Sequence, residues 1–398
     1  VSTSAQKVSS SSGQVAVSPE VDAVLRLMFG PGVEFNTRKV GLKTVAASLE
    51  GGQDERRFSI IPTERSPRAL LPLGSPRCTI KAVDQVRAFA PSAKAAKGLL
   101  RIAATVGVLP KIAGTLSVIG CGDSNVFSRA AQIAGQPNAT FAVVFGTPSK
   151  YRKLVACIMS PDGTPVSFVK VPMAQPAVKR IEHEGQMLEA LSKTFLEDAI
   201  PRVLFRGCWN GETALCLSAG PNNASPMQLG LKHYSLLKKM WGVRPIRREG
   251  KDLVDEVSGV AKTIPSATRG GDFINVVSEA LERASRELRR VTVSCGLSHG
   301  DFAPWNLRRG QDELFAFDWE ASSWECPNVW DIAHFDTQVV TLLGHKSCYS
   351  DVTRGIPSAS SLYLLYLVKS LAEAASESGI SSTQVSHRFR LLRTALKN

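Results

Sequence analysis

"LSHGDFAPWNLRRGQDELFAFDWE", residues 297–320, sets one histidine, three aspartates, one asparagine and two tryptophans at the edges of apolar, strand-like segments. A packed core excludes so many ionisable groups, and a solvated loop has no need of the aromatics. Five residues separate Asp301 from Asn306, the length of a tight loop that returns both side chains to one point. The run "LFAF" reads as a strand whose end delivers Asp318 from the neighbouring backbone.

Upstream of this stretch, the chain from residue 140 alternates strands and one helix. "TFAVVFG", "KLVACIMS" and "PVSFVKV" read as strands, the last two joined by "SPDGT", where proline presets one backbone angle and Asp-Gly tolerates the reversal. A helix, "PAVKRIEHEGQMLEALSKTF", follows, and then two more strands, "RVLFRGCW" and "TALCLSAG". Period-two alternation puts Val166, Phe168 and Lys170 on one strand face, where a lysine is costly unless paired. On the helix, Ile181, Leu188 and Leu191 form an apolar stripe, and Glu184 falls on it while Glu182, Gln186 and Glu189 do not. The expected partner of Lys170 is therefore Glu184 and not Glu182. Past residue 221 the patterns turn helical, in "MQLGLKHYSLLKKMW", "DFINVVSEALERASRELRRV", "SLYLLYLVKSLAEAA" and "QVSHRFRLLRTALK".

The 398-residue chain is 43% apolar and 21% charged, an ordinary globular balance for two or three domains. Its net charge of +13 is uneven: residues 1–139 carry 17 Lys and Arg against 9 Asp and Glu. A basic surface attracts phosphates, nucleic acid or an anionic membrane surface. No basic run is interleaved with aromatics, which makes nucleic acid the weaker reading. Eight cysteines without a C-x-x-C pair suit buried thiols in a reducing compartment, and the expected address is the cytoplasm. "LLRIAATVGVLPKIAGTLSVIG", residues 99–120, is the most apolar window, but Arg101, Pro110 and Lys111 break it, so it reads as packed core or a surface-lying segment. Residues 1–18 are Ser-rich and read as disordered. Residues 19–139 form a basic region of unassigned role. It contains the helical pattern "DQVRAFAPSAKAAKGLLRIAATVG" and a short helix at 121–135, capped by Asp123 or Ser124 and stopped by Gly135.

Phosphoryl transfer from a nucleotide needs a carboxylate beside an attacking hydroxyl, oxygen ligands for magnesium and a cation on the phosphates. Asp301 suits the first role, Asn306 and Asp318 the second, and Lys170 the third. "HGDFAPWN" followed by "FDWE" resembles the aminoglycoside phosphotransferase and choline kinase-like superfamily, of protein kinase-like fold, over roughly residues 140–398. The resemblance implies an α+β fold: a five-stranded small lobe with one helix at 140–221, then a helical large lobe at 222–398, joined near Leu217–Pro221. It also implies ATP- and magnesium-dependent transfer to a hydroxyl of a small molecule. It gives His299 a structural role beneath the loop, and it makes Asp331, in "VWDIAHF", a residue that caps its helix and braces the loop. Glu320 would be a further metal group or a brace.

Departures from the family pattern bear on the acceptor. The turn "FGTPSKYR" has one glycine, Gly146, and no G-x-G-x-x-G, so Gly146 with Ser149 or Lys150 is what it offers to phosphates. A Ser/Thr protein kinase carries lysine two residues after the catalytic aspartate, where this chain has Ala303, and no A-P-E follows Asp318. Residues 331–398 hold 5 acids against 7 bases, which does not suit a polycationic aminoglycoside, so a sugar or amino alcohol is favoured. Two rivals stand beside this reading. A dinuclear phosphatase wants several histidines, and of the six only His334 lies near the stretch. A kinase-like nucleotide-binding interaction module is the other, with an anionic partner for the basic N-terminal region; all five expected active-site positions being filled counts against it.

Overall fold

A computed structural model describes residues 22, 25, 26, 29, 34–38, 56–63, 66–119, 125–146, 148–209, 211–265, 271–376 and 382–397. Contacts divide the chain into two compact units, of residues 1–146, 154–169 and 209–212, and of residues 147–153, 170–208 and 213–398. The stretch 1–18 read as disordered lies outside the described residues.

In chain order the first unit contains β1 (Glu34–Arg38), β2 (Arg56–Ile61), β3 (Ala69–Pro72), α1 (Pro76–Gln85), α2 (Pro91–Thr105), α3 (Leu109–Ile112) and β4 (Gly114–Ile119). α4 (Val126–Ile133), β5 (Thr140–Phe145), most of β6 (Lys153–Met159) and the start of β7 (Pro165–Pro172) complete it. Its strands run in the order β1-β4-β2-β3-β5-β6-β7. β3 pairs antiparallel with β5, Ala69 opposite Val144 and Leu70 opposite Val143, so strands of the basic N-terminal region extend the sheet that begins at residue 140.

Period-two alternation covers both faces of this sheet. Ala69, Leu71, Ala142, Cys157 and Met159 pack against Cys78, Ala82 and Val83 of α1, Ala103 and Ala104 of α2 and Leu109 of α3. An aromatic cluster of Phe29, Phe58, Phe127 and Phe141 forms a second core, with Phe127 and Phe141 stacked at 4.1 Å. The expected continuous helix through 84–107 is in fact two, because Pro91 starts a new helix and the chain between is extended at Val86 and Ala90. The short helix is capped by Asn125 rather than by Asp123 or Ser124, which lie outside the described residues. The Asn125 side chain accepts from the amides of Phe127 at 3.0 Å and Ser128 at 2.8 Å. Gly135 does stop it, at φ +70.

The second unit takes the end of β7, then α5 (Gln175–Leu191), β8 (Val203–Trp209) and β9 (Glu212–Ser218), in strand order β7-β9-β8. The five expected strands are thus β5 to β9, with α5 the one helix among them. From Ser218 the chain runs without helix to α6 (Leu231–Val243). The expected helical region also holds two small antiparallel sheets, of whose strands the sequence disclosed only the "LFAF" run. One is β10 (Ile246–Glu249), β11 (Thr292–Ser298) and β14 (Ser323–Pro327); the other is β12 (Leu307–Arg309) with β13 (Leu314–Ala316). Around them stand α7 (Gly250–Ala261), α8 (Gly271–Leu288), α9 (Trp330–Leu343), α10 (Tyr349–Val352), α11 (Ala359–Ser376) and α12 (Ser382–Lys397). The molecule is α+β. No helix among the described residues is long and apolar enough to cross a membrane.

Candidate active site

All the residues that follow, Gly146 excepted, belong to the second unit. β7 carries Lys170 into a buried position, and α5 presents Glu184 on the same face as Ile181, Leu188 and Leu191, all four fully covered. The pair closes as its spacing predicts: the Lys170 ammonium donates to both carboxylate oxygens of Glu184, at 2.7 Å each. A buried ammonium and a buried carboxylate survive desolvation only by such pairing. The Glu184 carboxylate also accepts the amide of Trp319 at 3.2 Å, which ties α5 to the segment carrying Asp318.

Asp318 adopts a left-handed backbone, φ 74 and ψ 56, before the single 3-10 turn Trp319–Ala321. A non-glycine residue held there is strained, and such strain clusters where a side chain must be aimed. It brings one carboxylate oxygen within 2.8 Å of Lys170 and 2.8 Å of a second ammonium, that of Lys153 at the start of β6. Lys153 also donates to Glu320, whose other oxygen lies 3.7 Å from Arg180. Burial alone would push the Lys153 ammonium down, but Asp318 and Glu320 outweigh it and hold it above the usual lysine range. Burial, then repulsion from Asp318, push Glu320 up. Arg180 stacks on Tyr151, 3.4 Å from the ring centre, and both line an open cleft of about 520 Å³ with Lys179, His183 and Glu320.

The loop between β11 and β12 is fixed from beneath. Asp331 accepts from the Ser298 hydroxyl at 2.9 Å, the His299 amide at 2.8 Å and the Gly300 amide at 3.0 Å. It does not cap its helix: Val329 holds that position, and Asp331 sits in the first turn with its carboxylate turned to the loop. His299 is fully buried; its Nδ1 accepts the Asp301 amide at 3.2 Å and its Nε2 donates to the Phe317 carbonyl at 3.1 Å. Burial lowers its pKa, and one donor with one acceptor is what a neutral imidazole offers.

Asp301 is the partly exposed member of this group, and it receives two side chains. The Asn306 amide nitrogen donates to one carboxylate oxygen at 2.7 Å, and His334 Nε2 donates to the other at 2.8 Å. The Tyr366 hydroxyl meets His334 Nδ1 at 2.9 Å, so a Tyr366–His334–Asp301 chain orients the carboxylate. Burial works to raise Asp301, but the His334 hydrogen bond and charge leave it below the usual value and ionised. Asn306 is fully buried, and its main-chain carbonyl accepts the Phe317 amide at 3.1 Å, linking the loop to the segment between β13 and Asp318.

The structure thus gathers Lys170, Glu184 and Asp318 into one charge cluster and His299, Asp301 and Asn306 into one loop, which Asp331 braces from its helix. Ser149 lies in the β5–β6 turn, where its hydroxyl accepts the Tyr151 amide at 3.2 Å; Gly146 belongs to the first unit. Sequence reasoning missed Lys153, whose partners stand 165 and 167 residues away. It also passed over His334 as a partner for Asp301, although His334 follows Asp331 by three residues on one helix face.

Carboxylate oxygens of Glu184, Asp318 and Glu320 lie within 4.8 Å of one another. Both Glu184 oxygens are committed to Lys170, so Asp318 and Glu320 are the carboxylates of this group that a hard cation such as magnesium would meet, in competition with Lys153. The Asn306 amide nitrogen is committed to Asp301.

No protein-family model and no curated protein matches the chain. Similar solved structures include APH(2'')-IIIa in complex with GDP and kanamycin, at 14% identity and TM-score 0.44 over 64% of this chain and 93% of that one. A thermostable mutant of aminoglycoside phosphotransferase APH(4)-Ia in its apo form matches at 12% identity and TM-score 0.47, over 68% of this chain and 98% of that one.

Proposed function

We propose that the chain is an ATP- and magnesium-dependent phosphotransferase that acts on a hydroxyl of a small molecule. The observation that carries this reading is the meeting of Lys170, Glu184 and Asp318 at 2.7–2.8 Å, in the same unit as an ionised, partly exposed Asp301. Lys170, held by Glu184, neutralises phosphate oxygens. Asp301, oriented by His334 and Asn306, accepts the proton of the acceptor hydroxyl as its oxygen bonds to the γ-phosphorus. The bond from that phosphorus to the bridging oxygen breaks, and the nucleoside diphosphate leaves. Asp318 and Asn306, with Glu320 close by, are the residues that would hold magnesium, which when bound supplies positive charge to the phosphates.

Ala303 is fully buried, which leaves no room for the lysine of a Ser/Thr protein kinase and supports a small acceptor. Residues 331–398 of this chain are net basic, which suits a neutral or anionic sugar better than a polycation.

Magnesium-ATP should raise the melting temperature of the wild type and leave that of Asp318→Ala unmoved. Asp301→Asn should keep nucleotide affinity while losing phosphate transfer by about 100-fold or more, because a base on the hydroxyl side acts in the transition state. Labelled ATP with a metabolite extract identifies the acceptor. A thermal shift without transfer to any component would favour the interaction-module reading, and equal loss of nucleotide binding in Asp301→Asn would overturn the role of Asp301.

A further inference from the structure

Helix α2 is apolar on two faces. Ala103 and Ala104 face the core, whereas Leu99, Ile102 and Val106, spaced three and four apart, make a second stripe that is 67%, 61% and 62% exposed. Ile112, in α3 just beyond, is 65% exposed. Single exposed aliphatic side chains are ordinary, but a large stripe along one helix needs a partner. Among the described residues it has none.

Charge narrows the choice of partner. Residues 76–112 hold seven Lys and Arg and one acid, Asp84. That carboxylate is already met by Arg101 at 2.8 Å. Of the bases on α2, Arg101 is committed to Asp84, while Lys94, exposed and about 115° round the helix from the stripe, is placed to lift its charge beside it.

We propose that this face of α2 docks on an anionic lipid bilayer, with Leu99, Ile102 and Val106 entering the headgroup boundary and the surrounding bases meeting lipid phosphates and carboxylates. The helix lies on the surface; at 15 residues it is too short to span. A protein partner fits less well. The stripe has no aromatic residue, and a stable protein interface takes roughly 20 residues a side.

The test uses the full chain and sedimentation with vesicles of phosphatidylcholine alone or with added phosphatidylserine. The wild type should pellet with the phosphatidylserine vesicles, stay in solution with the neutral ones, and release at raised salt. Leu99→Asp combined with Ile102→Asp should weaken that partition by about tenfold or more. Both side chains are exposed, so melting temperature and the magnesium-ATP thermal shift should not change. Equal partition of wild type and variant overturns the proposal, as does no binding by the wild type. A wild-type dimer that the variant converts to monomer also overturns it, since a second copy would then cover the stripe. So does binding of the stripe by an acidic protein without lipid affinity.

Discussion

Two ammonium groups converge on a single oxygen of Asp318, Lys170 from β7 and Lys153 from β6, each at 2.8 Å. The pairing of Lys170 with Glu184 was legible because both residues break an apolar pattern and one helix separates them. Lys153 opens the run "KLVACIM" as any strand-edge lysine might be placed, so no local signal announces its partners. Its position has a consequence for metal binding. Lys153, only 14% exposed, occupies the approach that a divalent cation needs to Asp318 and Glu320, so cation and lysine compete for the same oxygens. Lys153→Met removes the competitor and adds one unit of net negative charge to the cluster. At an effective dielectric near 20 a unit charge at 4 Å is worth about 4 kcal/mol before desolvation, so magnesium affinity without nucleotide should rise about tenfold or more. Without metal the variant should melt lower than wild type, because Glu320 keeps only Arg180, at 3.7 Å, and magnesium should restore it. Calorimetric titration with magnesium and paired melts measure both effects. Unchanged or weaker magnesium binding in the variant would show that Lys153 does not compete.

At the scale of elements, the loop from β11 to β12 is held by geometry that tolerates almost no change. Gly300 sits at φ +76, and a Cβ there would stand 2.1 Å from the Ala321 carbonyl oxygen. Two requirements therefore fall on one position, a left-handed backbone and a close approach of the neighbouring chain. Gly344, which ends α9 at φ +71 with nothing within 4 Å of a Cβ, carries the first requirement alone. Gly344→Ala should cost about 1 kcal/mol, the usual penalty for that backbone region. Gly300→Ala should cost at least about 2 kcal/mol more and displace Asp301. Denaturant midpoints at constant slope measure the difference, and equal shifts for the two variants would remove the steric argument. The elements themselves were legible where one face is buried and the other wet, as along α5. They were not legible in β10, β12 and β14, strands of three to five residues that are too brief for periodicity to register, nor in β11, which is buried on both faces from Cys295 to Ser298. Nor did the N-terminal strands declare themselves: β3 is buried at all four residues, and a strand covered on both faces shows no alternation.

Over the whole molecule, buried histidines tie stability to pH. His233 is 1% exposed, its Nδ1 accepting the Gly230 amide at 3.1 Å and its Nε2 meeting the Ser225 hydroxyl at 3.1 Å. Packed edge-on against Phe335, 5.1 Å away, it has no carboxylate partner among the described residues, and burial lowers its pKa from 6.5 to about 4. His299 is lowered for the same reason. The folded state therefore refuses protons that the unfolded chain accepts below its ordinary histidine value. Stability should be full above about pH 6.5 and should fall as the pH drops towards about 4, with His233 alone worth on the order of 3 kcal/mol across that window. Asp301, held below the usual carboxylate value, loses its contribution only at lower pH and so does not blur the effect. His233→Asn keeps an acceptor for the Gly230 amide but cannot take a proton. Its unfolding free energy should be lower than wild type at neutral pH, and its slope between those two pH values should be shallower by about one proton. Denaturant unfolding at a series of pH values, followed by Trp fluorescence, gives both slopes. Parallel slopes for the two proteins would mean that His233 takes its proton without unfolding, and that the hydrogen bonds from Gly230 and Ser225 do not hold it neutral.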